Sequence, residues 1–224
     1  MCKKLNTYNC TEVTQRTKKI KRKKKYSIIL ADPAWSFKYW SQKGNGRSAC
    51  GHYGVMTLED LKRLPVSAIA SNDAVLFIWV IFSLLPQALQ VISAWGFDYK
   101  TCGFTWVKRN KIAKSWFWGM GYYTRANAEI CLLATKGKGL RRISRSVHSV
   151  IDTPIENHSK KPDVVRDKIV ELFGDLPRIE LFARQKTKGW DALGNDIDGK
   201  DIRVAMEEII TKQNTIEGLK RDAT

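Results

Sequence analysis

The sequence predicts an α/β fold, a sheet covered by helices on both faces. Three observations lead there. Two short, largely apolar runs, residues 26–31 and 74–80, have the length and lack of alternation of strands buried on both sides. Segments with helical spacing, 83–95 and 161–173, alternate with such runs. Proline or glycine punctuates the joins.

Taken in order, residues 26–31 form the first strand. Residues 33–54, rich in Gly, Ser and aromatics without periodicity, form a long functional loop. Thr57-Leu58-Glu59-Asp60 reads as a capping box opening a short helix that Pro65 stops. Residues 74–80 form a second buried strand, and 83–95 a helix with Pro86 in its first turn and Gly96 at its end. Further strands are expected at 97–107 and 128–135, separated by the aromatic, glycine-punctuated stretch 116–123. Lys136-Gly137-Lys138-Gly139 is a turn. Val164, Val165, Ile169 and Leu172 mark an amphipathic helix over 161–173, with Gly174 as its stop. Residues 178–183 form the last strong strand, and one peripheral helix is expected around 204–210. The organisation is a basic tail over 1–25, one domain over 26–199 and a peripheral segment over 200–224.

Size and composition narrow the class. With 224 residues, 43% hydrophobic residues and 8 tryptophans, the chain has material for a substantial core and is not a disordered protein. No apolar run has the length of a membrane span and no signal-peptide pattern opens the chain. The expectation is a soluble, intracellular protein without a membrane partner: cytoplasmic in a bacterial or phage-infected cell, nuclear in a eukaryote. Five scattered cysteines (Cys2, Cys10, Cys50, Cys102, Cys131), odd in number and without a C-x-x-C pair, suit neither a disulfide framework nor a zinc site, so no metal is expected. The net charge of +17, from 39 basic and 22 acidic residues, favours a polyanionic partner. Basic residues crowd 16–25 and again Lys136, Lys138, Arg141, Arg142 and Arg145. They suit phosphate contact, the first run because it ends beside the first strand, or else a solvated tail or import signal.

The tip of that strand carries Asp32-Pro33-Ala34-Trp35. Ligands of α/β sheets sit outside the carboxyl ends of strands. An acid, a proline and an aromatic there suit chemistry on an exocyclic amino nitrogen, whose lone pair is delocalised into its ring. A carboxylate and a main-chain carbonyl can each accept one N–H of such a group, turning the lone pair toward an electrophile. Proline keeps the turn stiff and offers only its carbonyl, and Trp35 can stack on a base. Alone, the tetrapeptide reads equally well as a strand ending in a proline turn, with Trp35 in the core.

Further blocks follow. They are His52-Tyr53-Gly54-Val55-Met56, Gly121-Tyr122-Tyr123-Thr124-Arg125 with Glu129, His158-Ser159-Lys160-Lys161-Pro162-Asp163, Glu180-Leu181-Phe182-Ala183-Arg184, and Trp190 with Gly194-Asn195. In this order the blocks, spanning residues 26–199, resemble the adenine-N6 methyltransferase family typified by the catalytic subunit of the eukaryotic mRNA methyltransferase. That resemblance implies a Rossmann-like, S-adenosylmethionine-dependent methyltransferase fold in permuted order, the catalytic strand first and the cofactor strand late. It implies that Asp32 and the Pro33 carbonyl hold the target amino group, with Trp35 and Tyr53 lining the base pocket. Lys161, Arg184 and Asn195 would hold the amino-acid and ribose parts of S-adenosylmethionine, with Leu181 and Phe182 beside them and Asp196 at a further cofactor-contacting position. Asp32 also borders the cofactor. Cation and polar groups suit a carboxylate and ribose hydroxyls, and Lys161 is expected to open a helix.

One departure from the family pattern is Ala34, where a second proline is usual; it keeps the Pro33 carbonyl and loosens the turn. Glu129 opens an apolar strand, an expensive place for an acid unless paired. Arg125 is the expected partner, or both residues contact substrate. The aromatics of 116–123 either stack on a flipped base or single strand or form a hairpin core or subunit interface, which leaves a homodimer open. The activity implied is N6 methylation of adenine in nucleic acid, DNA before RNA. The rival readings are a silent nucleic-acid-binding subunit and the same chemistry on RNA or on another amino acceptor. Retention of Asp32, Lys161, Arg184 and Asn195 together argues against a pure binder.

Overall fold

In the computed structural model the described residues are 24–36, 56–113, 115–156 and 160–221, with backbone alone for 213–221. Seven strands form one sheet: β1 (Tyr26–Ala31), β2 (Ala70–Val80), β3 (Asp98–Arg109), β4 (Ala128–Lys136), β5 (Val150–Pro154), β6 (Arg178–Leu181) and β7 (Asp191–Leu193). Their spatial order is β5-β3-β4-β2-β1-β6-β7. The helices are α1 (Leu58–Arg63), α2 (Val66–Ile69), α3 (Leu85–Ala94), α4 (Val164–Phe173), α5 (Asn195–Asp198) and α6 (Ile202–Arg221).

β1 is the central strand, parallel to β2 on one side and to β6 on the other. Its side chains divide between two cores, as the period of two requires. Ile29 and Ala31 join Leu76, Ile78 and the buried stripe of α3 on one face. Ile28 and Leu30 join Val75, Phe77, Trp79 and the α4 residues Val165 and Ile169 on the other. Both faces are thus covered, which is why these strands read as unbroken apolar runs. α6 docks on the first face through Ile202, Ala205 and Met206.

β4 runs antiparallel to both β2 and β3. Its first residues therefore lie at the sheet edge where β1, β2 and β6 end: Ile130 pairs with Val80, and Ala31 pairs with Ile78 and Leu181. Asp32, Glu129 and the segment after Leu181 converge on this carboxyl edge through topology alone.

Several expectations shift. β2 begins at Ala70 rather than at 74, because Ser71, Asn72 and Asp73 extend the strand with a polar overhang. α1 is capped as expected, the Thr57 Oγ accepting the Asp60 N–H at 3.1 Å. α4 starts at Val164, so Lys161 precedes the helix instead of opening it. Edge strands β5 and β7 were not foreseen. The basic run reaches β1 at its amino end, where Lys24 pairs with Asp191 at 2.5 Å and Lys25 donates to the Ala68 carbonyl. Six strand residues at about 3.3 Å each put that end roughly 20 Å from Asp32; residues 16–23 of the run lie outside the described residues. No helix among the described residues is long and apolar enough to cross a membrane.

Candidate active site at the carboxyl edge of the sheet

The turn after β1 is fixed from three directions. The Asp32 N–H donates to the Leu181 carbonyl (3.4 Å), the Trp35 N–H to the Pro33 carbonyl (2.9 Å) and the Met56 N–H to the Ala34 carbonyl (3.2 Å). The Trp35 indole N–H donates to the Trp79 carbonyl at 2.9 Å, pinning the half-buried ring to the end of β2. The Pro33 oxygen keeps a second lone pair for another donor.

Lys161 occupies the centre of the site. Its Nζ lies 2.9 Å from Oδ1 and 3.0 Å from Oδ2 of Asp32, and 3.3 Å from Oε2 of Glu129. Glu129 also pairs with Lys108, which reaches it from β3 across the register that sets Trp106 opposite Glu129. The three central side chains are largely buried, with 19% of Asp32, 15% of Lys161 and 14% of Glu129 exposed. Aromatic walls complete the enclosure. Lys161 stands 5.9 Å from the Trp79 ring centre and Lys108 5.0 Å from that of Trp106, and these two rings meet edge to face at 6.5 Å.

Charge sharing sets the two carboxylates apart. Burial raises the proton affinity of both. At Glu129 the ammonium groups of Lys161 and Lys108 overcome burial and hold its pKa down at about 2. At Asp32 burial prevails over Lys161 and Arg184, and the Glu129 charge adds to it, so its pKa stays above the ordinary carboxylate value. Lys161 is itself held in the charged form, the two carboxylates outweighing its own burial.

A second network holds the Lys161 segment in place. Buried Arg166 of α4 makes a bidentate pair with Glu180 of β6, at 2.7 and 2.8 Å, and reaches Asp163 at 2.6 Å. Asp163 follows Lys161 by two residues, so β6, α4 and the lysine are one mechanical unit.

At the end of β6, buried Leu181 leads into Phe182, whose φ of 61° puts a non-glycine residue in the left-handed region. That conformation costs on the order of 1 kcal/mol and is typical of functional turns. Half-buried Arg184 follows, close enough to act on Asp32. The Ala183 N–H donates to the Leu193 carbonyl at 2.8 Å. Gly194 is needed where it stands, since a Cβ there would lie 2.2 Å from the Ala183 carbonyl oxygen. Asn195 and Asp196 open α5 and are exposed. A cation pair, an amide and an acid at one edge fit the carboxylate and hydroxyls of S-adenosylmethionine in chemistry.

The structure thus brings Asp32, Pro33, Ala34, Trp35, Glu129, Lys161 and the 181–184 turn to one edge. Tyr53, with His52 and His158, lies outside the described residues. Arg125 is exposed, and the expected Arg125–Glu129 pair is replaced by Lys108–Glu129–Lys161. Lys108 was missed, although a cation two residues after Trp106 in an apolar strand is the counterpart of an acid in its partner strand. The aromatics of 116–123 form no core: they stand on a ribbon that projects from β3 and β4, with Tyr123 fully exposed.

A doubly covered sheet with the antiparallel β4 among parallel strands, and this edge, is a Rossmann-like methyltransferase fold. The MT-A70 family model matches residues 26–196, and the chain belongs to that family, whose methyltransferases take their methyl group from S-adenosylmethionine. Among its relatives is the type II methyltransferase M.MunI of a Mycoplasma species, 32% identical over 81% of this chain and 82% of that protein. Others are the N(6)-adenosine-methyltransferase subunit METTL3 of Danio rerio, 28% identical, and the METTL3 catalytic subunit of Homo sapiens, 26% identical. These cover 84% and 78% of this chain, which spans only 30% and 29% of their length.

Proposed function

We propose that the protein methylates the N6 amino group of adenine in nucleic acid, with DNA preferred over RNA. The observation that carries this reading is the pairing of an Asp32 carboxylate of raised proton affinity with the Pro33 carbonyl at the tip of β1, beside a lysine on the edge where a cofactor carboxylate is to be bound. The match to M.MunI, a type II methyltransferase, over about four fifths of both chains supports DNA, while the N(6)-adenosine-methyltransferases support adenine N6.

When bound, S-adenosylmethionine supplies an electrophilic methyl group on a sulfonium. Lys161, Arg184, Asn195 and Asp196 would hold its charged and hydroxylated ends, and Leu181 and Phe182 its apolar flank. Asp32 and Pro33 would accept the two amino hydrogens of adenine, fixing the nitrogen and freeing its lone pair from the ring. Trp35 packs along the base, Tyr53 completes the pocket, and Glu129 with Arg125 faces the substrate side. The alkylated nitrogen is strongly acidic, and a carboxylate with raised pKa is a better proton acceptor than an ordinary one. Ala34 leaves both acceptors in place.

Nucleoside mass spectrometry after incubation with S-adenosylmethionine and separate DNA and RNA pools tests the reading. N6-methyladenine accumulating faster in DNA supports it; unmodified adenine in both pools overturns it.

A further inference from the structure

We infer that the exposed aromatic ribbon over residues 116–126 is a base-stacking surface for the nucleic-acid strand that carries the target adenine. This rests on the proposed substrate class and adds how that substrate is gripped.

The ribbon is built, not incidental. Beyond β3, Trp116 pairs with Arg109 and the Phe117 N–H donates to the Lys108 carbonyl at 2.9 Å. The Gly119 and Ala126 main chains then exchange bonds of 2.8 and 3.2 Å to close a small hairpin. Both tip glycines are sterically required: a Cβ on Gly119 would lie 2.4 Å from the Ala126 carbonyl oxygen, and one on Gly121 2.1 Å from that of Thr124. Such a frame presents Trp118, Tyr122 and Tyr123 to solvent, with relative exposures of 63%, 65% and 104%. Rings this exposed have no packing role among the described residues.

Position and charge say what they meet. Three residues past Ala126 the same chain segment supplies Glu129, whose carboxylate shares Lys161 with Asp32. The hairpin therefore continues from the sheet edge that carries the candidate site, its closing residue Ala126 about 10 Å from Glu129 along the chain. Residues 110–127 carry Lys111, Lys114 and Arg125 and not one acid, while Lys108 and Arg109 just before them are paired with Glu129 and Asp152. Aromatic rings interleaved with cations suit a strand of stacked bases and phosphates. A second copy of the chain, itself at +17, is repelled by the same charges.

The test compares wild type with the double variant Trp118→Ala/Tyr123→Ala and the ring-retaining Trp118→Phe/Tyr123→Phe. Binding of fluorescent single-stranded DNA and RNA oligonucleotides is followed by anisotropy across a salt series, with calorimetry for S-adenosylmethionine and sedimentation for mass. The alanine variant is expected to bind oligonucleotide weaker by about tenfold for each ring removed, with an unchanged salt slope, cofactor affinity and melting temperature. The phenylalanine variant keeps wild-type binding. Arg125→Ala, by contrast, lowers the salt slope by about one. The proposal is overturned if the alanine variant binds within twofold of wild type, or if wild type sediments as a dimer that this variant converts to monomer with binding intact. Binding is read without turnover, so loss of the stacking surface and loss of the methylation reading are distinguished.

Discussion

Lys161 and Asp32 are 129 residues apart in the chain and in contact at 2.9 Å, and the same ammonium reaches Glu129 at 3.3 Å. One cation thus serves two carboxylates, and the better-supplied one, Glu129, leaves Asp32 short of positive charge. This division accounts for the opposite displacement of their proton affinities.

The pH dependence of turnover follows. In the proposed mechanism Asp32 acts ionised, so activity is expected to fall as pH drops through its raised pKa. Glu129→Gln removes a nearby negative charge and leaves Lys161 to Asp32 alone, and its acid limb moves to lower pH. Lys161→Met removes the compensating cation, and the limb moves to higher pH. Profiles of kcat for the three proteins decide the matter; coincident acid limbs contradict the charge-sharing account.

Stability carries the opposite sign at Glu129. Its folded pKa of about 2 lies below the ordinary 4.5, so its contribution is complete above 4.5 and is lost as pH falls toward 2. Converted directly, the shift corresponds to on the order of 3 kcal/mol. Urea unfolding of wild type and Glu129→Gln is expected to differ by about that amount at neutral pH and to converge near pH 2.

The Arg166–Glu180 pair is buried and bidentate. Glu180→Ala leaves the guanidinium without its main partner, at a cost of about 3–5 kcal/mol. Because Arg166 also holds Asp163, S-adenosylmethionine binding weakens in the same variant. Chemical denaturation and calorimetry report the two effects separately.

Gly194→Ala places a methyl 2.2 Å from the oxygen and 2.7 Å from the nitrogen of Ala183. Main chain cannot yield as a side-chain end would, so the β6–β7 turn shifts, at about 1–3 kcal/mol. Cofactor affinity is expected to fall at least tenfold, read by calorimetry, while affinity for oligonucleotide holds.

What could be read from the sequence depended on how local its cause was. β1 was legible because both its faces are buried, and the Thr57 cap because donor and acceptor lie three residues apart. β5, with Asp152, Thr153 and Pro154, and the three-residue β7 were not, since edge strands carry no continuous apolar run. Asp32 and Lys161 were named through the order of the family blocks, but their mutual contact was not. Glu129 was assigned Arg125, its neighbour in sequence, while Lys108, 21 residues away, reaches it through strand register. Exposure of Trp118 and Tyr123 depends on how the hairpin leaves the sheet, which no periodicity encodes.

The most direct measurement is made on Asp32→Asn, nearly isosteric with the wild-type side chain but without its charge. Transfer of labelled methyl from S-adenosylmethionine to adenine is measured together with calorimetric binding of the cofactor. Turnover is expected to fall by at least about a hundredfold with cofactor binding still measurable. Turnover at the wild-type rate would contradict the proposed role of Asp32.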